Sequence, residues 1–261
     1  MNDENKGRVH LSIADGVAAI LIDRPEARNA MTWAMYDELA AICERIAADA
    51  TVRVATFRGA GGEAFVAGTD IEQFRDFGGA DAGVDYEKKI DERVGQIERL
   101  PMPTIAIVEG WAIGGGLAIA SACDFRIATP GATFGVPIAR TLGNCLSIAN
   151  IARLVAGFGA PRAKRMLVLA DNVGAAEAQA CGYLTEIAEA AEIDAKAQAL
   201  CQRLMKNAPV TMRASKEGIR RVVAEGLPDG EDLIRACYGS QDFKAGVQAF
   251  LDKKRPAWTG S

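Results

Sequence analysis

Polar and apolar positions divide the first half of the chain into strand-like and helical stretches. VHLSIADG (9–16) and VAAILIDRP (17–25) read as strands, joined by the turn pair Asp15-Gly16. Apolar residues at Met35, Leu39, Ile42 and Ile46 then recur at spacings of 4, 3 and 4, the period of one helical face. VRVATFRG (52–59) reads as a strand that feeds the loop AGGEAFVAGTDI (60–71), and a helical segment follows over 84–99. TIAIVEG (104–110) is a buried strand, GGLAIASAC (115–123) a buried helix, and DFRIAT and ATFGVP two further short strands. From about residue 195 no strand pattern remains, and 194–207, 210–225, 230–239 and 242–254 all read as helices. The expectation is an α/β fold of stacked ββα units over 1–195, with a helical oligomerisation region over 196–261.

One stretch imitates a membrane span. Between Thr104 and Cys123 the only charge is Glu109. The prolines at 101 and 103 and the glycines at 110 and 114–116 do not suit a single unbroken helix, so a strand, a turn and a helix fit better. Composition narrows the function classes. Hydrophobic residues make up 49% of the 261, enough for a large core. The net charge of −4 argues against a general binder of nucleic-acid backbones, which needs a basic stripe. The opening MNDENKGR is polar, unlike a signal peptide. Six cysteines without a C-x-x-C pair read as reduced thiols of a cytoplasmic protein. His10 is the single histidine, which argues against a histidine metal cluster or a His-activated nucleophile; no metal and no bound cofactor are expected.

The candidate chemistry lies in GWAIGGGLA (110–118). A strand arrives, three glycines follow, and a helix leaves. Free amides and the positive end of a helix dipole there can hold an anion, provided no side chain blocks the approach. Tight helix–strand packing explains the same glycines equally well. No Gly-Lys-Ser/Thr follows, and position 119 is Ile rather than Gly or Ala, so phosphate-loop and dinucleotide fingerprints are not met. FVAGTDI (65–71) is a second glycine loop of the same kind.

Taken together, DRPEARNAM (23–31), FRGAGGEAFVAGTDI (57–71), GWAIGGGLAIASACDFRIAT (110–129), FGVP (134–137) and QDFKAGVQAFLDKKRPAW (241–258) resemble the crotonase superfamily, the enoyl-CoA hydratase/isomerase family. The resemblance spans nearly the whole chain in the family's order. It implies a spiral of ββα units, a C-terminal trimerisation region in a homotrimer or hexamer, and an acyl-CoA substrate. It places an oxyanion hole at the amides of Thr69 and Gly115. It implies CoA contacts at Arg24, Glu26 and Arg28, at Ala67, Asp70 and Ile71, and at Lys253, which would reach a neighbouring subunit's ligand. Asp70 is expected to order its own loop, and Asp124 to be structural.

The match breaks at the chemistry. The two glutamates of the family's hydratases fall on Ala118 and Ile138, and isomerases of the family usually keep an acid at the second position. Replacements are sought on the 84–99 helix, where Glu87 and Asp91 are spaced i, i+4 on one face and Tyr86 is a further proton donor. A solvated charged face is the plain alternative. The turn RTLGNCLS (140–147) adds Arg140, Asn144 and Cys145 as acyl-pocket residues beside Ala118 and Ile138. Dehalogenases of the superfamily carry a nucleophilic aspartate near such a turn, and this turn has no carboxylate. Cys145 as a nucleophile needs an activating neighbour. Three functions are weighed: an enzyme on CoA thioesters with non-standard acid–base residues, an acyl-CoA binder that has lost its acids, and RNA binding, known for an odd relative of the family, which the acidic balance does not support.

Overall fold

A computed structural model describes residues 7–75, 78–224, 226 and 230–259. Strands β1 (Arg8–Ala14) and β2 (Val17–Asp23) form the expected hairpin, with Asp15 and Gly16 both at positive φ as its tight turn requires. Helix α1 (Trp33–Ala48) follows, capped by the Thr32 side chain. It buries Met35, Leu39 and Ile46 as the spacing predicts, while Ile42 is half-buried.

The next units share one plan. Strand β3 (Val54–Gly59) enters the first sheet, β4 (Ala64–Val66) a second sheet, and α2 (Ala80–Glu98) packs outside. The plan repeats in β5 (Thr104–Val108), β6 (Trp111–Ile113) and α3 (Gly115–Ala122). It repeats again in β7 (Phe125–Ala128) and β8 (Thr133–Gly135), followed by α4 (Ile138–Thr141) and α5 (Ile148–Val168). Strand β9 (Asn172–Gly174), α6 (Ala175–Ala180) and β10 (Glu186–Ile187) close the sheets. The first sheet is ordered β1-β2-β3-β5-β7-β10 and the second β4-β6-β8-β9. Within them β2-β3-β5-β7-β10 and β4-β6-β8 run parallel, so each ββα unit advances one strand in both sheets, a spiral.

The central strands β3 and β5 are buried almost throughout because both faces are covered, which is why they read as unbroken apolar runs. One face meets the main core. The other meets α7 (Ile193–Met205), whose Ile193, Ala197, Cys201 and Leu204 pack on Val54, Ile105 and Ile127. The tail continues as α8 (Pro209–Ala224), α9 (Glu231–Tyr238) and α10 (Gln241–Leu251), close to the spans the sequence predicts. The membrane-like stretch is β5, β6 and α3. No described helix is long and apolar enough to cross a membrane.

The sequence reading runs one strand into the glycines, but the structure inserts β6. Three residues are too few for a visible period, and pairing with β4 and β8 creates the strand. Gly110 makes the bend: its φ is +63°, and a Cβ there would sit 1.7 Å from the Glu63 carbonyl oxygen.

Candidate active site

Two clefts stand out among the described residues. One, of about 760 Å³, lies between α8 and the β7 end of the core. Its charges are engaged within the protein: Lys216 with Asp124, Arg153 with Glu98, Arg220 with Glu217, and Arg126 with the backbone carbonyls of Ala120, Cys123, Asp124 and Tyr183. The other, of about 1340 Å³, is lined by both glycine loops, α2, α4 and α10.

The glycine triplet forms the inner wall of this second cavity, and each glycine has its own physical reason. Gly114 turns the chain at φ +53°, with its amide donated to the Gly135 carbonyl at 2.9 Å. Gly116 lets α3 lie on β4, since a Cβ would sit 2.0 Å from the Val66 carbonyl oxygen. Gly115 opens the first helical amide to the cavity; a Cβ would lie 2.6 Å from the Tyr36 hydroxyl and 3.7 Å from the Thr69 nitrogen. Thr69 is fixed from both sides. Met31 donates its amide to the Gly68 carbonyl, and Asp70 donates its amide to the Met31 carbonyl, each at 2.9 Å. This parallel bridge turns the Thr69 N–H away from Met31. Among the described residues neither the Thr69 nor the Gly115 amide has a hydrogen-bond acceptor. Two free donors side by side in a cavity wall suit an oxygen that gains negative charge.

Hydroxyls support this pair. Tyr86 donates to Thr69 Oγ1 at 2.9 Å, and the Tyr36 hydroxyl lies 3.0 Å from the same atom. Burial pushes the Tyr36 hydroxyl up to about 12 and raises that of Tyr86 as well, so both stay protonated near neutral pH. Tyr86 thus holds Thr69 in place, with Trp33 and Phe74 packed on its ring.

Glu87, 2% exposed, is the buried carboxylate of the cavity wall. Its Oε1 accepts from the Tyr238 hydroxyl at 2.6 Å and its Oε2 from the Ser147 amide at 3.0 Å. Burial raises its pKa to about 7; these two donors pull it down, and the charge of Asp91 pushes it up. Tyr238 also accepts from Asn144 Nδ2 at 3.1 Å, and Asn144 lines the cavity too.

Asp91 shares the helical face of Glu87, as its spacing predicts, but does not line the cavity. Its Oδ1 accepts from the Ser147 hydroxyl at 2.7 Å and from Asn150 Nδ2 at 3.1 Å, with Arg153 3.6 Å away. Burial raises its pKa, and Ser147 and Arg153 oppose that rise. Ala118 and Ile138 both line the cavity, where their side chains contribute apolar surface. Arg140 does not: α4 is a single turn that presents Ile138 and Thr141 to the cavity and leaves Arg140 exposed. Cys145 also falls outside the lining, because its sulfur turns towards the Leu233 carbonyl in α9, 3.6 Å away.

The expected CoA contacts gather at the same cavity. Arg24, Glu26, Arg28, Ala67, Asp70, Ile71 and Lys253 are all in its lining. Arg24 is internally engaged, donating from Nη1 to the Ala30 carbonyl at 3.0 Å and to Asp70 Oδ2 at 2.7 Å. Asp70 also accepts from the Glu72 amide at 3.1 Å and caps the 3-10 turn Ile71–Phe74, the loop-ordering role expected of it. Arg28 is 63% exposed and 3.7 Å from Glu63. Lys253 lines its own chain's cavity, whereas the sequence reading sends it to a neighbour. Asp124 accepts from the Thr104 amide and hydroxyl and from Lys216, a structural role.

Sequence reasoning missed Tyr36, Tyr238, Ser147 and Asn29. Asn29 is fully buried and ties the Arg24 loop to the carbonyls of Ala60 and Ala64. Its place inside DRPEARNAM was the available signal. Tyr238 and Ser147 carry no local signal.

The family model for enoyl-CoA hydratase/isomerase matches residues 12–261. A short-chain-enoyl-CoA hydratase of Clostridium acetobutylicum is 32% identical over 246 residues, covering 92% of both chains. The mitochondrial enoyl-CoA hydratase domain-containing protein 2 of Bos taurus is 32% identical over 253 residues, covering 94% of this chain and 85% of its own. Among solved structures, a methylmalonyl-CoA decarboxylase complexed with 2S-carboxypropyl-CoA superposes with a TM-score of 0.88 at 25% identity, covering 97% of this chain and 98% of its own.

Proposed function

The chain belongs to the enoyl-CoA hydratase/isomerase family, and from that premise we propose that it moves a single proton along the acyl chain of a CoA thioester. The thioester oxygen sits between the amides of Thr69 and Gly115. The nucleotide end of CoA lies at the mouth, near Arg28 and Lys253. Glu87 takes a proton from C2 of a 3-enoyl thioester, the electrons move onto the thioester oxygen as an enolate, and the same carboxyl returns the proton at C4. The product is the 2-enoyl isomer, with no atom gained or lost.

The observation that carries this reading is Glu87 itself: one buried carboxylate, poised at about 7, in the cavity wall that holds both free amides. Its two hydrogen bonds leave lone pairs free to take a proton. One positioned acid–base group contributes about 10²–10⁴-fold in rate and one oxyanion donor about 10²–10³-fold. Hydration asks for a second carboxylate to handle water, and Ala118 and Ile138 supply none. The same loss favours a second reading, decarboxylation, in which the breaking C–C bond supplies the enolate electrons without any base. The decarboxylase neighbour, with its carboxypropyl-CoA ligand, supports it. The apolar side chains of α8, with Val210, Ile219 and Val222 each more than 60% exposed, support assembly as a trimer or hexamer.

The test is a time course in deuterated water with a pool of 3-enoyl, 2-enoyl, 3-hydroxyacyl and carboxyacyl thioesters, followed by mass spectrometry. Proton transfer gives 2-enoyl product with deuterium at C2 or C4, lost in Glu87→Gln. Loss of carbon dioxide, unaffected by Glu87→Gln, establishes the second reading. Thioesters that bind yet emerge unchanged sink both and leave a binding protein.

A further inference from the structure

Two cysteines outside the cavity lining face each other behind it. Cys145 lies in the loop between α4 and α5, and Cys237 in the last turn of α9. Cys145 Sγ is 3.6 Å from the Leu233 carbonyl oxygen, and Cys237 stands one helical turn beyond Leu233 on that face. Leu233 and Cys237 are spaced i, i+4 in α9, so the contact at Leu233 brings the Cys145 and Cys237 thiols close enough for each to shift the other's pKa. Both residues are free thiols and only half-buried, whereas Cys43, Cys123 and Cys201 are buried. Their chain neighbours hold the site: Asn144 donates to the Tyr238 hydroxyl, which donates to Glu87.

We propose that Cys145 and Cys237 are a redox site that closes reversibly into an intramolecular disulfide, clasping the Asn144 loop to α9. The oxidant is a small-molecule disulfide or a peroxide. With glutathione disulfide, the Cys237 thiolate attacks one sulfur, breaks the S–S bond and expels one glutathione thiolate. The Cys145 sulfur then attacks Cys237 in the mixed disulfide and expels the second. Two protein thiols and one glutathione disulfide become one protein disulfide and two glutathione thiols, the thiol protons ending on glutathione. Beside Cys145, the Cys237 thiol is lowered to about 7 while that of Cys145 is raised, which makes Cys237 the attacking partner. Neither step uses the cavity or any substrate, so the site stands whether or not Glu87 moves protons.

The experiment takes the reduced full-length protein, adds glutathione disulfide, and blocks the remaining thiols before mass spectrometry of intact protein and of a non-reduced digest. The expected result is a loss of two hydrogen atoms per chain and one cross-linked peptide pair joining residues 145 and 237, reversed by dithiothreitol. Cys145→Ser and Cys237→Ser each remove the cross-link, and Cys181→Ser leaves it in place. If the wild-type protein instead carries separate glutathionyl adducts on the two residues, or if both stay reduced while Cys181 reacts, the proposal is overturned.

Discussion

Replacing Glu87 by Gln should make the protein more stable at pH 8 and leave it unchanged at pH 4. In the unfolded chain this carboxyl titrates near its ordinary value of 4.5, and in the fold near about 7. Between those limits the folded state holds more protons than the unfolded one, so stability falls as pH rises and levels off above 7. At about 1.4 kcal/mol per pH unit, the wild-type loss over this window is about 3 kcal/mol. The amide never ionises. It also fits its surroundings: its oxygen can accept from the Ser147 amide, and its NH₂ can donate to the Tyr238 oxygen. Thermal unfolding measured from pH 4 to pH 8.5 gives the two curves. They should coincide near pH 4 and separate by roughly 6–12 °C at pH 8, at about 2–4 °C per kcal/mol for a chain of this size. Asp91 and the other carboxyls titrate in both proteins, so the difference isolates Glu87. Parallel curves between pH 5 and pH 8 would refute both the buried charge and the acid–base role built on it.

Three further outcomes follow from the same geometry. Tyr238→Phe removes a hydroxyl that lowers the Glu87 pKa, so the rise of turnover with pH should move to higher pH while KM changes little; an unmoved profile would separate Tyr238 from the chemistry. Gly115→Ala puts a methyl 2.6 Å from the fully buried Tyr36 hydroxyl and beside the Thr69 amide, so kcat should fall by about 10²-fold in steady-state assays, and the melting temperature should fall too because Tyr36 must shift. Lys216→Met strips the 2.8 Å partner from Asp124 and frees the middle of α8 from the Met102 carbonyl. It should cost about 1–3 kcal/mol in urea unfolding and leave kcat intact at low temperature, because Lys216 lies in the other cleft.

How far the sequence carries depends on the range of the interaction that decides each feature. The β1–β2 hairpin, α1 and the four tail helices rest on turn residues and period within a few residues, and they fall where the pattern puts them. Strands β4, β6 and β9 have three residues each and exist because neighbouring strands pair with them, so no local pattern announces them. The site divides in the same way. The two glycine loops stand out because each amide donor needs a glycine beside it. Glu87 and Asp91 are indistinguishable by spacing: same helix, same face, same chemistry. What separates them is what covers each one. Tyr238 from α9, 151 positions away, closes over Glu87, and the Ser147 amide, 60 positions away, seals its other oxygen. Even Gly83 belongs to this contact, since a Cβ there would sit 2.1 Å from the Tyr238 ring. Gly83 is therefore where the chain records, one turn before Glu87, that another element must come close. Gly83→Ala should force α9 away, admit water to Glu87 and return its pKa towards 4.5, so the pH dependence of unfolding should flatten as it does in Glu87→Gln, though from a less stable fold. A Gly83→Ala protein that keeps the full wild-type slope between pH 5 and pH 7 would show that burial by α9 is not what holds the proton on Glu87.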